Sequence, residues 1–554
     1  MRLISCMVIE RTIVILVVGV ELLALAGCST AHYRRSADKE TAAIIAQKGA
    51  NVPNMDPHFT IESNAPPSLA DAPLNRELAE FMGEDAAVER GVPVISLYRS
   101  LDIGVKHSRA YQNAKEAAFL SALTLTLSRH QFTPIFSGGG TAKYAEMYDQ
   151  TPIQRQLSSG GTIGGDWLIR DVGKLSAAFT ADLLRFMSGN PGTLISSQLG
   201  ATLTRPLLRN AGYKTEIEAL TQAERDVFYA LREFVLFRKN FSVQIAMAYY
   251  GVLGDRDAIR NSYLNLQSSR RAVDRGRALA REGRLTQSDL GRLEQQLLTT
   301  EATWIHAVRT YKKAIDDFKI QIGLPVETKL LLDDRELAEL KVIHPQINVD
   351  DSIRVALTAR LDYQTSRDQY ADAERKVKLA ADGFLPQLDL AATAKMSSGS
   401  HNEFSMPNPS RYEWSAAGTL NLPLDRKLER NNYRTSLIAR DRTLRAQTLL
   451  ADQIALQVRE SHRTLDQAKR TYEISEIGVK LAERRVEEQE LLAQLGRAKA
   501  QDQVDAQNDL VNSKNQRTQA LVSHTIARLQ FWNNAGVLFI KENGQWQEGN
   551  EAKR

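Results

Sequence analysis

Two carboxylates, Asp502 and Asp505, stand three residues apart just after the turn Gly496-Arg497-Ala498, so one helical face carries both. Such a pair can concentrate cations, or simply complement the positive end of a helix dipole. Thiol chemistry is confined to Cys6 and Cys28; with both in the first thirty residues, no disulfide framework or thiolate metal site can form beyond them. The nine histidines are scattered without metal-ligand spacing. Gly138-Gly139-Gly140-Thr141 lacks the remaining spacing of a phosphate-binding loop and reads as a strand end or turn, and there is no Gly-x-Ser-x-Gly elbow. No catalytic constellation, metal site or cofactor site emerges, so an enzyme is not expected. With 71 basic and 66 acidic residues the net charge is only +5, too balanced for a broad nucleic-acid-binding surface.

Cys28 has a context of its own. Arg2 and Arg11 flank the start, Thr12 to Ala26 is a short apolar run, and the run ends in Leu25-Ala26-Gly27-Cys28. That is too short for a spanning helix, which needs about 20 apolar residues, and suits a signal-peptide core. The ending resembles a bacterial lipobox, in which Cys28 receives a covalent lipid and becomes the mature N-terminus; an ordinary secretory signal with a chance cysteine is the alternative. Ser29 after the cysteine suits passage to an outer membrane. No later segment is long and charge-free, so any crossing of a membrane must use strands.

These residues sit in a duplicated frame. Gly283-Arg284-Leu285-Thr286 and Gly496-Arg497-Ala498-Lys499 are 213 residues apart, and the same offset relates Gly323 to Gly536, Phe318 to Phe531, Ala314 to Ala527 and Leu297 to Leu510. Upstream, Tyr111-Gln112 corresponds to Tyr363-Gln364 and Pro134 to Pro386, and Pro206-Leu207 corresponds to Pro423-Leu424. Pro134 to Pro206 spans 72 residues and Pro386 to Pro423 spans 37, so the first copy carries a 35-residue insertion, read as a long loop.

Each copy orders helix, strand, loop, strand, long helix, tight turn, long helix. Lys214 to Glu282 and Lys427 to Leu495 contain no proline, and roughly 69 residues at 1.5 Å rise reach about 100 Å. After the first turn Leu290, Leu293, Leu297, Thr300, Trp304, Ala307, Tyr311, Ala314 and Phe318 alternate by three and four, an antiparallel coiled-coil seam. The matching face in copy two is more polar, with Ser513, Arg517 and His524. A water-filled tube wall and a plain solvated coiled coil both fit that pattern. Strands are expected at Phe132–Phe136, Ile195–Leu203, Leu385–Ala394 and Trp414–Leu422. Their weak alternation, with Trp167, Phe179, Phe186, Phe404, Tyr412 and Trp414 nearby, suits a transmembrane barrel or the packing of a soluble sheet.

The expected organisation is a signal peptide over 1–27 and an extended, loop-rich arm over 28–95. Repeat 1 covers 96–323, with a helix over 97–131, strands with a long loop over 132–210 and a hairpin over 214–323. A linker follows over 324–348. Repeat 2 covers 349–536, with a helix over 349–383, strands over 384–424 and a hairpin over 427–536, before a loosely held tail over 537–554. The fold class is α+β, mostly α.

With these elements in place the chain resembles the TolC-type outer-membrane efflux family, over about Leu97 to Leu538. The resemblance is carried by the repeated unit, Pro386, the Pro206-Leu207 and Pro423-Leu424 strand ends, and both Gly-turn-Asp hairpins. Cys28 matches the lipoprotein branch. The resemblance implies a homotrimer giving four strands per chain to a 12-stranded barrel in outer-membrane lipid, above a periplasmic tube of twelve helices. It implies a passive efflux duct that works with a periplasmic adaptor protein and an inner-membrane transporter; a polypeptide-secretion duct and a non-conducting envelope tether are the other functions considered. Asp502 and Asp505 match the family's paired aspartates at the periplasmic constriction. Gly283, Arg284, Leu285, Thr286, Gly496, Arg497 and Ala498 match its adaptor-docking tips. The family's gate Tyr and Arg positions hold Ala493 and Ala498 here, so other contacts must close such a tube.

Overall fold

In the computed structural model the described residues are 29–62, 69–148, 153–188, 192–346, 348–399, 404–495, 497 and 499–547. The signal segment, Cys28, Gly496 and Ala498 lie outside them. Helix α1 (Thr30–Gly49) precedes the first repeat, which contains α2 (Leu97–His107), α3 (Arg109–His130), β1 (Ile135–Met147), β2 (Gln154–Ile169), β3 (Gly173–Phe186), β4 (Gly192–Pro206), α4 (Lys214–Arg281) and α5 (Gln287–Ile322). The second contains α6 (Val349–Ala359), α7 (Leu361–Asp382), β5 (Gln387–Ser397), β6 (Tyr412–Asn421), α8 (Lys427–Gln494) and α9 (Ala500–Asn534). Both α4 and α8 run 68 residues, about 100 Å of unbroken helix. No described helix is long and apolar enough to cross a membrane.

The strands form one antiparallel sheet in the order β1-β2-β3-β4-β5-β6. Among the described residues each chain therefore gives this sheet six strands, where four were expected. The 35-residue insertion is not a loop: it supplies the β2–β3 hairpin, paired along its whole length with β1 on one side and β4 on the other. Gly138-Gly139-Gly140 lies within β1 rather than at a strand end or turn, opposite Ile163, Thr162 and Gly161.

Strand alternation separates two faces. Ser137, Thr162, Thr180, Gln198, Thr393 and Ser415 fall on one, and Phe136, Ile163, Phe179, Leu199, Ala394 and Trp414 on the other, as the cross-strand registers require. The apolar face is bare: Phe136 is 82% and Trp414 73% exposed, and no described element packs over the sheet. Burying aromatics in a soluble sandwich core would need a second layer.

Below the sheet, α3 packs on α4, and α7 packs on both α4 and α8, giving a four-helix layer whose members each run directly into a strand. The opening helices, expected to be continuous over 97–131 and 349–383, are broken at Ser108 and Arg360, both extended. No proline or glycine marks either break. Their cause is tertiary: the glycine closing each return helix packs on the broken backbone. A Cβ on Gly323 would stand 2.1 Å from the His107 carbonyl oxygen, and one on Gly536 would stand 3.2 Å from the Arg360 nitrogen. Both glycines have positive φ, 86° and 79°.

The arm is less extended than expected. Helix α1 buries Ile44 and Ile45, and Lys48 pairs with Glu224 of α4. The tail is also held, not loose, as far as it is described. Leu538 and Ile540 are buried, Phe539–Ile540 pairs with Trp546–Gln547, and Asn54 donates to the Ile540 carbonyl at 2.6 Å. Arm, linker and tail thus converge mid-molecule around an aromatic core in which Tyr111 meets Phe234, Phe237 and Phe241 at 5.3–5.9 Å.

Candidate functional site

The tip of the first hairpin is a closed apolar turn. Helix α4 ends at Arg281, and Gly283, at φ 72°, reverses the chain. The Arg284 amide donates to the Leu279 carbonyl at 2.9 Å, which satisfies a helix-end acceptor. Thr286 starts α5 by accepting from the Asp289 amide at 3.1 Å and donating to its carboxylate at 2.7 Å. Leu285 turns inward beside Gly276, where an added Cβ would lie 3.4 Å from it and 2.8 Å from Leu293. Arg284 is exposed, 3.7 Å from Glu282.

The described residues of the second tip repeat one backbone bond of the first but not its side-chain cap. Arg497 donates its amide to the Leu492 carbonyl at 2.8 Å, and α9 begins after Lys499, which offers no side-chain cap. The positions equivalent to Gly276, Leu285, Leu290 and Leu293 hold Gln489, Ala498, Gln503 and Ala506. Leucine closure is absent, and a cavity of about 330 Å³ opens between the two hairpins, lined by Gln489, Glu490 and Gln503 on one side and Asn265, Arg271 and Arg275 on the other. Asp502 is exposed in the first turn of α9. Asp505 is half-buried and accepts from Gln501 Nε2 at 2.9 Å. Asp509, one turn on, pairs with Arg485 of α8. The two predicted aspartates therefore share a helix face near a tip that lacks the leucine closure, while the predicted docking residues of the first repeat sit on a leucine-packed one.

Sequence reasoning missed the polar seam joining the hairpins. On α4, Asp257, Asn261 and Asn265 recur every fourth residue. Asp257 accepts from Thr518 Oγ1 at 2.8 Å, Asn261 donates to Asn515 Oδ1 at 2.8 Å, and Asn265 donates to Asn508 Oδ1 at 3.1 Å. Gln296 of α5 also donates to Asn508 Oδ1, at 3.2 Å. Asn261, Asn265 and Thr518 are buried. The i, i+4, i+8 spacing on α4 was the available signal, but only the packed partner helix makes it a seam.

Two ionic clusters anchor this frame. Arg256 of α4 grips both oxygens of Glu89 at 2.9 Å and reaches Asp334 at 3.1 Å and Tyr311 at 3.0 Å. Burial opposes the charge on Arg256, but Glu89, Tyr311 and Asp334 raise its pKa overall. Asp372 of α7, also buried, receives Arg225 at 2.6 Å, Arg375 at 2.7 Å and Tyr229 at 2.5 Å. Burial pushes its pKa up, but these donors outweigh burial and hold it below the usual carboxylate range. Higher on α9, His524 is fully buried near His344, with ring centroids 6.0 Å apart. Burial, then the charges of Arg528, His344 and Lys469, lower its pKa to about 4. Among the described residues no group of three or more His, Cys, Asp or Glu is disposed to hold a metal.

This architecture has counterparts among solved structures. The Campylobacter jejuni CmeC outer membrane channel matches at a TM-score of 0.60 with 12% identity, over 89% of this chain and 93% of that one. The chain has the TolC-type outer-membrane channel fold. VceC, an outer membrane protein of Vibrio cholerae, matches at 0.60 with 14% identity over 79% and 96% of the two chains. The open state of the Neisseria gonorrhoeae MtrE outer membrane channel matches at 0.57 with 13% identity over 80% and 89%. Comparison with protein-family models and with curated proteins gives no match.

Proposed function

We propose that the chain is a member of the TolC-type efflux family that assembles as a homotrimer into a passive duct across an outer membrane. The observation that carries this reading is the bare apolar face of a sheet whose strands run straight into a four-helix layer, two of whose helices continue unbroken for about 100 Å into the hairpins. Neither sheet nor helix layer encloses a channel alone; copies side by side do. Cys28, carrying a covalent lipid, would anchor the arm in outer-membrane lipid, leaving the helices in the periplasm. The tips, Gly283 to Thr286 and Gly496 to Ala498, would dock a periplasmic adaptor that links the duct to an inner-membrane transporter. No chemistry is required of the chain, and no cofactor enters the proposal.

Asp502 and Asp505 would form the constriction. Threefold symmetry brings six carboxylates around one axis, which favours cations. With the leucine closure missing at this tip, the polar seam to α4 becomes the restraint that holds the inner hairpin in place. Small molecules are the cargo that the family resemblance supports. Purified trimers in planar bilayers are expected to conduct, and Asp502→Ala with Asp505→Ala to weaken cation preference and block by multivalent cations. Trimers that never conduct would favour an envelope tether instead. In a deletion strain, drug susceptibility is expected to rise; unchanged susceptibility together with loss of a secreted protein would make polypeptides the cargo.

A further inference from the structure

Both outer edges of the sheet are unpaired: β1 along its 13 residues and β6 along its ten. Among the described residues neither edge carries proline, a bulge or a covering element, three of the devices that keep an edge from pairing. With six strands alternating in direction, the β6 of one copy and the β1 of the next run antiparallel. Faces also match across such a joint, with Ser415 and Thr419 continuing the polar side of Ser137 and Thr141, and Trp414 and Leu420 the apolar side of Phe136 and Tyr144.

With the helix ends of neighbouring copies level, Asn421 beside Ile135, the registers within one chain set how the joint is staggered. Crossing the sheet perpendicular to the strands, Ile135 leads to Asp166, Ser176, Thr202, Thr393 and finally Ser415. Ile135 begins β1 beside the helices, but Ser415 lies six residues from the helix end of β6, Asn421. Each chain therefore shifts the register by about six residues, and three chains by about eighteen. For eighteen strands that shear corresponds to a tilt of about 35°, within the range of membrane barrels.

The geometry points to an 18-stranded barrel, closed by edge pairing of β6 with β1 of a second copy of this chain, in register Ser415 to Thr141 and Glu413 to Lys143. This inference rests on the trimeric duct proposed above and departs from the twelve strands that the family resemblance implies. Two further observations support it. Lys143 has no ion-pair partner among the described residues, and the register sets it opposite Glu413, which pairs with Lys395 at 2.9 Å. Arc length agrees as well: four helices side by side span about 40 Å, and six tilted strands span roughly 35 Å, whereas four strands span only roughly 23 Å. The β2–β3 hairpin thus brings the barrel nearly to the width of the tube beneath it.

The test uses the full-length trimer in two measurements. Averaged particle images are expected to show a backbone ring roughly 34 Å across, against roughly 23 Å for twelve strands. Thr141→Cys with Ser415→Cys, oxidised, is expected to give a covalent trimer that reduction separates; Thr141→Cys with Thr419→Cys, four residues out of register, is not. A trimeric ring of twelve strands with residues 154–186 outside the wall would overturn the inference and leave the duct standing. A ring of any width without the 141–415 cross-link would overturn the register. A particle with no central ring would overturn both this inference and the duct.

Discussion

The polar seam between α4 and α9 makes the sharpest prediction about how the duct is held. Replacing Asn508, Asn515 and Thr518 by Ala removes four hydrogen bonds, from Asn265, Gln296, Asn261 and to Asp257. Each is worth about 1 kcal/mol net, and the buried partners left behind, Asn261 and Asn265, each add about 1 kcal/mol or more of unmet desolvation. The inner hairpin should then lose roughly 4–6 kcal/mol of attachment per protomer. The leucines that close the first tip have no counterparts here, so little apolar packing near the tip compensates. Amide exchange over 499–518 should accelerate by about a thousandfold or more, since 1.4 kcal/mol is tenfold. Conductance in planar bilayers should rise in parallel. Asn533→Ala, which removes a 2.7 Å bond to Asn240 at the far end of α9, should leave tip exchange unchanged. A folded triple mutant with wild-type exchange and conductance would refute the seam as the restraint.

Three other outcomes follow from buried contacts. Arg256→Ala leaves Glu89 without its bidentate partner and should cost about 3–5 kcal/mol, read as a lower Tm of the detergent-solubilised trimer. Gly323→Ala places a Cβ 2.1 Å from a backbone oxygen and should abolish trimer yield, whereas Gly291→Ala, with open space at its Cβ, should raise Tm slightly. The folded-state pKa of His524 lies at about 4, below its ordinary 6.5, so the native state binds the neutral ring. Its contribution is complete above pH 6.5 and declines as pH falls toward 4, by at most about 1.4 kcal/mol per pH unit. Urea midpoints measured from pH 7 to 4 should therefore fall less steeply for His524→Phe than for the wild type.

Periodicity and repetition determined much of this molecule without any structure. Two proline-free stretches of equal length, each ending in a glycine turn and separated by one constant offset, can only be paired long hairpins, because helix formation is local and its stop signals are written in the residues that stop it. The same locality put Asp502 and Asp505 on one face. What local signals could not reach was pairing. Residues 154–186 alternate weakly and are rich in glycine and serine; they become strands because β1 and β4 offer them edges, and strand formation is decided by neighbours far away in sequence. The breaks at Ser108 and Arg360 have no local breaker and exist because Gly323 and Gly536 press against them. Helix α1 was hidden because the prolines that mark the arm as loop all follow Gly49, and it is held by burial of Ile44 and Ile45 rather than by a local stop. The Arg256 cluster and the buried His524 are likewise invisible along the chain, and the asparagine spacing on α4 becomes a seam only against α9, since burial and partner both come from packing. Composition and period determined the elements and their order; only tertiary structure decided strand number, register and which polar groups are locked together, because those depend on contacts between residues hundreds of positions apart.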